Sequence, residues 1–294
     1  MTVEDAIFYC SKLTRAHSST FYLGSRLFGA NERQAVSVIY AVCRSGDDAV
    51  DEAPNPQTGK QRLYDWWASV ERAYGGDIDP HNPLEVGLAW VLESYDVPKH
   101  AFEELYLGLE SDLECQRLET LDELMLYCRR VAGVVGLMIA PIAGYRGGEA
   151  TLQNALALGQ AMQITNILRD VGEDLALGRC YLPRDLLDKH GVRLEHLENG
   201  IVTPEYIALL EDLAELTNKL YRLGWQGIPK LKNVAGAAVG VAALNYEGIL
   251  NKLRQNGYNN LTRRAYLRPI ERVALIPRAV VSVYSNALPS FYNL

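Results

Sequence analysis

Gln163-Ile164-Thr165-Asn166-Ile167-Leu168-Arg169-Asp170-Val171-Gly172-Glu173-Asp174 is the stretch on which the fold turns. Gln163, Asn166, Asp170 and Asp174 stand at i, i+3, i+7 and i+11, so on a helix they share one face. Glu173 adds a carboxylate beside that face, and Ile164, Ile167, Leu168, Val171 and Leu175 fill the opposite side. Asp, Asn and Gln turned toward a helical interior cost free energy unless something compensates them. A hard divalent cation such as Mg2+ suits two carboxylates and an amide oxygen. A solvated acidic helix face gives the same pattern, and the stretch alone leaves both readings open.

A second acidic motif lies upstream in Tyr40-Ala41-Val42-Cys43-Arg44-Ser45-Gly46-Asp47-Asp48-Ala49-Val50-Asp51-Glu52. Asp47 and Asp51 are i and i+4, and Arg44 is one turn earlier on the same face. Asp48 and Glu52 form another such pair, rotated by about 100°. Carboxylates this close repel, and a cation relieves the repulsion. Each acidic pair has an arginine beside it (Arg44, Arg169), and Arg263 and Arg264 recur near the C-terminus. Taken jointly, these parts fit a polyanion held through metal ions. Aspartates bind Mg2+, the ions bridge to diphosphate oxygens, and arginines take the remaining charge.

Composition narrows the class. The chain has 294 residues, 48% hydrophobic and 22% charged, with a formal charge of −7. The acidic balance argues against nucleic acid as a partner. Cys10, Cys43, Cys115, Cys128 and Cys180 are dispersed without a CxxC pair, which suits free thiols in a reducing compartment. The acidic start, Met1-Thr2-Val3-Glu4-Asp5, resembles neither a secretory signal nor a transit peptide, so a bacterial cytoplasm is expected. The longest apolar runs, 131–145 and 234–244, fall short of a membrane span. Both are rich in Gly and Ala, which fits close helix packing or the lining of a channel for a long apolar ligand.

In order, helices are expected over 3–16, from Asn31 as cap, over 61–74, 84–95, 99–117, 121–144 (bent at Gly136 or Pro141), 151–177 and 233–256. Residues 54–60 read as a loop and 185–200 as a short helix and loop. Thr203-Pro204-Glu205 is a cap, a first-turn proline and an acid, followed by Leu209, Leu213, Leu216, Leu220 and Leu223 on one face. Arg263, Arg264, Arg268 and Arg272 give a basic tail. No alternating strand segment appears, so the chain reads as all-α in one domain, 1–294. His17-Ser18-Ser19-Thr20-Phe21 puts hydroxyls and an imidazole in one place, as phosphate ligands or as ordinary caps.

Together these residues resemble the squalene/phytoene synthase family over nearly the whole length. The signatures are His17-Ser18-Ser19-Thr20-Phe21-Tyr22-Leu23-Gly24-Ser25, Tyr40-Ala41-Val42-Cys43-Arg44, Tyr127-Cys128 with Val131-Ala132-Gly133, the stretch from Asn166 to Asp174, and Arg179-Cys180-Tyr181-Leu182-Pro183. Phe21 to Ser25 and Arg263-Arg264-Ala265-Tyr266 are more similar to the phytoene-forming branch. The resemblance implies an all-helical isoprenoid synthase bundle around a central cavity. It implies head-to-head joining of two prenyl diphosphates, with geranylgeranyl diphosphate expected, through a cyclopropane intermediate. Asp47, Asp51, Asn166, Asp170 and Asp174 would hold Mg2+, with Mn2+ as the alternative metal. Ser18, Thr20, Phe21, Tyr40, Arg44, Gln163, Asn166, Arg169, Tyr181, Tyr246 and Arg263 would line the substrate. Tyr127 would handle a proton or stabilise a cation. No nicotinamide is expected. Peripheral contact with the inner face of a membrane would suit an apolar product, and no motif encodes the oligomeric state. Arg129-Arg130 depart from the family pattern and are expected in solvent. Asp112 matches an acidic position, either supporting the metal site or making a salt bridge at the core edge.

Three rivals stand beside this. A squalene or dehydrosqualene synthase would use the C15 substrate. Asp47-Asp48-Ala49-Val50-Asp51 also satisfies the DDxxD of chain-elongating synthases, although Asn-Ile-Leu-Arg before the second motif does not suit elongation. A non-catalytic helical scaffold would leave both acidic faces solvated. A di-iron site is disfavoured because no ExxH pair occurs.

Overall fold

The computed structural model describes residues 1–17, 25, 27–114, 117–232, 234–285 and 288–289. Among these residues the architecture is helical, with one isolated bridge between Tyr145 and Leu231. Helices α1 (Val3–His17), α2 (Ala30–Asp51), α3 (Pro56–Gly75), α4 (Pro83–Ser94) and α5 (Lys99–Leu113) form the N-terminal half. Next come α6 (Leu121–Cys128), a π-helical segment (Arg129–Gly133) and α7 (Val134–Ala143). Then follow α8 (Glu149–Ala176), α9 (Arg184–His190), α10 (Leu194–Glu198), α11 (Pro204–Trp225), α12 (Ala235–Gln255) and α13 (Pro269–Tyr284).

Local chemistry explains most boundaries. Thr203 caps α11 by accepting from the Tyr206 amide at 3.3 Å, with Pro204 in the first turn, as expected. Gly178 follows α8 at φ 76°, the left-handed stop that glycine tolerates. Asn55 accepts from the Thr58 amide at 2.9 Å and starts α3 at Pro56, inside the expected loop. Ala30 opens α2 without a side-chain cap, so Asn31 sits within the first turn. Helix α5 ends at Leu113, short of the expected 117.

Two departures are larger. The 121–143 run carries its irregularity at Arg129–Gly133 rather than at Gly136 or Pro141. Gly136 instead permits close packing, since a Cβ there would meet the Ala155 carbonyl oxygen at 2.6 Å. The expected basic tail contains α13, started by Pro269 in the first turn and by the Glu271 carboxylate, which accepts from the Arg268 amide at 2.7 Å. The interior Pro277 hid this helix from a reading that treats proline as a breaker.

Two bodies of buried side chains result. One includes Val38, Ile39, Leu63, Trp66, Leu88, Phe102, Leu105 and Met138. The other includes Ile164, Leu168, Tyr206, Leu209, Leu213, Tyr221, Trp225 and Leu250. Burying each such side chain contributes about 1.5–3 kcal/mol. Val239 of α12 packs against both bodies, with Val135 and Ile139 edging the first and Met162 and Tyr246 the second. Helix α8 packs against α7, α11 and α12, which puts its polar face at the seam between the bodies. The run Leu121–Ala143 is the described helix long and apolar enough to cross a membrane by length and composition. Here it packs against α5 and α8.

Candidate active site

Helix α8 supplies one wall. Ile164, Thr165, Ile167, Leu168 and Val171 are buried, while Gln163, Asn166, Arg169, Asp170 and Asp174 are half-buried on the other face. Asn166 donates to Gln163 Oε1 at 3.4 Å, and its own Oδ1 is buried with no hydrogen-bond partner. Arg169 donates Nε and Nη2 to the two oxygens of Asp170, at 2.7 and 2.5 Å. A second guanidinium, from Arg264, reaches Asp170 Oδ1 at 2.9 Å and Glu173 Oε2 at 3.3 Å.

Gly172 explains how Arg264 arrives there. The loop after α12 lies directly on α8: the Gly172 amide donates to the Asn260 carbonyl at 3.2 Å. A Cβ at Gly172 would stand 2.2 Å from the Leu261 carbonyl oxygen. Asn260 locks the contact, donating to the Leu168 carbonyl at 2.6 Å and accepting from the Tyr206 hydroxyl at 2.8 Å. Tyr258 adopts φ 56°, a strained conformation for a non-glycine residue, where the loop turns.

Helix α2 supplies the opposing wall. Tyr40, Arg44, Asp47 and Asp48 are half-buried and Asp51 is exposed. Arg44 pairs with Asp48 at 2.5 Å, one turn on, while its charge also acts on Asp47. Asp51 accepts from Arg179 Nη1 at 3.0 Å. Burial pushes the Asp47 carboxyl up to about 7; Arg44 opposes this, and Asp51, Asp48 and Asp112 add to it.

Asp112, from α5, joins the walls. One oxygen accepts from the Tyr181 hydroxyl at 2.9 Å and the other from the Tyr127 hydroxyl at 3.2 Å. The two rings stack with centroids 5.0 Å apart and planes 23° from parallel. Burial raises Asp112 to about 6, against the pull of both hydroxyls and Arg179. Burial likewise raises Asp174 to about 6, with Asp170, Glu173 and Asp112 adding and Arg179 opposing. Asp112 therefore feels Asp51 on one wall and acts on Asp174 on the other. Burial also holds the Tyr127 hydroxyl well above the usual phenol range, so it stays protonated.

Tyr40, Arg44, Asp47, Asp51, Gln163, Asn166, Arg169, Asp170 and Asp174 thus line two walls, with Tyr127 and Tyr181 between them. Tyr246 on α12 is half-buried and close enough to Arg169 to act on its charge. Arg263 is exposed on the loop whose next residue, Arg264, makes the ion pairs. Ser18, Thr20 and Phe21 lie outside the described residues. Arg129 is a correction: it is not free in solvent but forks onto Glu104 at 2.8 and 2.9 Å. Arg130 is half-buried, because the π-helical turn brings it against α5. The sequence marks Arg264 among the arginines that could meet a polyanion, and Arg179 only as part of a motif; that they sit on Asp170 and Asp51 had no local signal, because ion pairing is made across the fold.

Among the described residues, no three His, Cys, Asp or Glu side chains converge closely enough to hold a metal ion unaided. The donor set nevertheless fits a hard cation. Asn166 Oδ1 is an orphaned buried acceptor, and Asp47 and Asp174 are crowded carboxyls that a positive charge would relieve. Mg2+ commonly takes one or two carboxylates and completes its shell with water and substrate phosphates.

Residues 14–271 match the squalene/phytoene synthase family model. The chain is 51% identical over 271 residues to a phytoene synthase of Thermus thermophilus, covering 92% of this chain and 91% of that one. It is 33% identical over 289 residues to a 15-cis-phytoene synthase of a Synechocystis species, covering 95% and 85%. Among solved structures, a dehydrosqualene synthase in complex with ligand superposes with a TM-score of 0.88 at 28% identity, covering 96% and 98%. A squalene synthase of Alicyclobacillus acidocaldarius follows at 0.81 and 26%, covering 87% and 96%. With its two aspartate walls, its tyrosine pair and these likenesses, the chain belongs to the squalene/phytoene synthase family.

Proposed function

We propose that this protein is a phytoene synthase, a prenyltransferase that condenses two geranylgeranyl diphosphates head to head through prephytoene diphosphate. The single observation behind the chemistry is Asp112, whose two tyrosine partners stand between the acidic walls. The C20 substrate rests on likeness to the two phytoene synthases. Asp47, Asp51, Asn166, Asp170 and Asp174 would hold Mg2+, or Mn2+ in its place. The bound metal would neutralise diphosphate and favour its departure. Arg169, Arg179 and Arg264 sit on Asp170 and Asp51, which places three guanidinium groups where diphosphate oxygens would need positive charge. Gln163 positions Asn166, and Tyr246 flanks Arg169.

Tyr127 and Tyr181 both point their hydroxyl protons at Asp112, which leaves oxygen lone pairs for a carbocation. As Tyr127 oxygen takes a proton from the hydrocarbon, its own proton can pass to Asp112, whose raised pKa makes it a competent sink. The apolar seam along Val135, Ile139, Met162 and Val239 suits a prenyl chain and excludes the water that would quench a cation. No nicotinamide is required, because the second proton loss ends the reaction. We place the enzyme in the cytoplasm, at the inner face of a membrane that receives the hydrocarbon. The test supplies purified protein with Mg2+ and C20 or C15 diphosphate, with and without NADPH. Phytoene from the C20 substrate without NADPH is expected; squalene or dehydrosqualene from the C15 substrate alone refutes the assignment.

A further inference from the structure

Helix α5 presents three residues to one neighbour. Glu104, Gly108 and Asp112 stand at i, i+4 and i+8, so they share one face. The π-helical segment Arg129–Gly133 crosses α5 at Gly108, where a Cβ would lie 2.8 Å from Val131 Cγ1 and 2.9 Å from Arg130 Cβ. From that crossing Tyr127 reaches one turn along α5 to Asp112, its hydroxyl donating at 3.2 Å. Arg129 reaches one turn the other way, donating Nε and Nη2 to the two Glu104 oxygens at 2.8 and 2.9 Å. Both side chains of this pair are half-buried, and the two parallel bonds fix direction as well as distance, which a single exposed ion pair does not.

Helix α8 closes the other side. A Cβ at Gly159 would press on the Ala132 carbonyl and lie 2.7 Å from Gly133 Cα, and one at Gly136 would meet the Ala155 carbonyl oxygen at 2.6 Å. Gln160 Nε2 donates to the Met125 carbonyl at 3.0 Å, just ahead of the segment. These contacts fix the face that Gly133 and Gly136 turn toward α8. The Val134 amide donates to the Arg129 carbonyl, the five-residue step of a π turn. Such a turn takes up about one residue more than an α turn, so the faces before and after it are offset by about 100° from those of an unbroken helix. An unbroken α-helix that kept Gly136 on Ala155 would therefore turn Tyr127 away from Asp112. The π turn is the less stable form of backbone and persists where tertiary contacts hold it. Arg129, its first residue, is the one anchored to α5 by a two-bond fork.

We propose that Arg129 and Glu104 are positioning residues for Tyr127: their paired bonds hold the π-helical turn in the register that places the Tyr127 hydroxyl on Asp112. This deepens the phytoene synthase reading and rests on its use of Tyr127 as the group that handles a proton. Arg129→Gln and Glu104→Gln should each lower kcat about tenfold with KM changed less than about twofold. The charge-swapped variant Glu104→Arg/Arg129→Glu should recover most of that loss. Arg130→Ala keeps its Cβ against Gly108 and removes a neighbouring charge that acts on Glu104, and it should turn over like wild type. In a Tyr127→Phe background Arg129→Gln should cost nothing further, because its effect runs through that hydroxyl. A second readout needs no turnover. With Tyr127 replaced by 3-fluorotyrosine, the fluorine resonance should move in Arg129→Gln toward its position in Asp112→Asn, and return in the charge swap. An unmoved resonance overturns the proposal, as does unchanged kcat in both single variants. So does a loss from Arg129→Gln that persists in full on top of Tyr127→Phe, since the pair would then act on the fold and not on the tyrosine. Wild-type product analysis with the C20 diphosphate reports on the phytoene synthase reading, and the fluorine spectrum on the register of Tyr127, so either can fail alone.

Discussion

Gly172→Ala places one methyl group where α8 meets the loop that carries Arg264. Alanine in a helix normally stabilises relative to glycine by about 1 kcal/mol. Here the added Cβ would stand 2.2 Å from the Leu261 carbonyl oxygen, 2.7 Å from its carbon and 2.9 Å from the Asn260 carbonyl oxygen. All three are backbone atoms, so the loop itself must retreat. That retreat stretches the Gly172–Asn260 backbone bond and disturbs the two buried bonds of the Asn260 side chain. Overpacking costs about 1–3 kcal/mol, and each buried hydrogen bond contributes about 1 kcal/mol. With the propensity gain subtracted, the variant should lose about 2–3 kcal/mol of stability. Urea unfolding followed at the helical dichroism band measures this. Gly75→Ala is the control: nothing lies within 4 Å of a Cβ there, so it should be neutral or stabilising by up to about 1 kcal/mol. The same Gly172→Ala protein should bind inorganic diphosphate with Mg2+ more weakly, because Arg264 leaves Asp170. A variant as stable as wild type, or more so, would show that the loop does not bear on α8 as described.

Asp47→Asn and Asp170→Asn should each lower turnover at least about a hundredfold with helicity intact; near-normal turnover in either removes that residue from the metal site. Asp112→Asn leaves one acceptor oxygen for two tyrosine hydroxyls. The expected loss is about ten- to a hundredfold in kcat with little change in KM, read by steady-state kinetics. The pH dependence has a definite sign. Asp47 at about 7, and Asp112 and Asp174 at about 6, are all raised above the ordinary aspartate value of 3.8. Their contribution to the fold is fully present below the unfolded value and is lost as pH rises through about 6 and 7. The ligand-free melting midpoint should therefore fall between about pH 5 and pH 8, while Mg2+-diphosphate binding strengthens over the same interval as the carboxyls ionise. A ligand-free midpoint that climbs across this range contradicts the placement of these groups.

Local chemistry alone determined a good deal. The polar row from Gln163 to Asp174 and the pair Asp47 and Asp51 lie on helix faces because their spacing matches 3.6 residues per turn, which no tertiary contact is needed to state. Thr203 with Pro204, and Gly178, marked helix ends for equally local reasons. Quoted motifs in order also brought the family into view before any geometry. What only the tertiary structure decided is which charges meet. Arg179 on Asp51, Arg264 on Asp170, and Asp112 between Tyr127 and Tyr181 join residues far apart in sequence. Arg129 looked like a solvent residue until the fold set Glu104 opposite it. Helix α13 was hidden because Pro277 reads locally as a breaker. Sequence spacing fixes the face on which a side chain stands; the packing of the other helices decides what stands across from it.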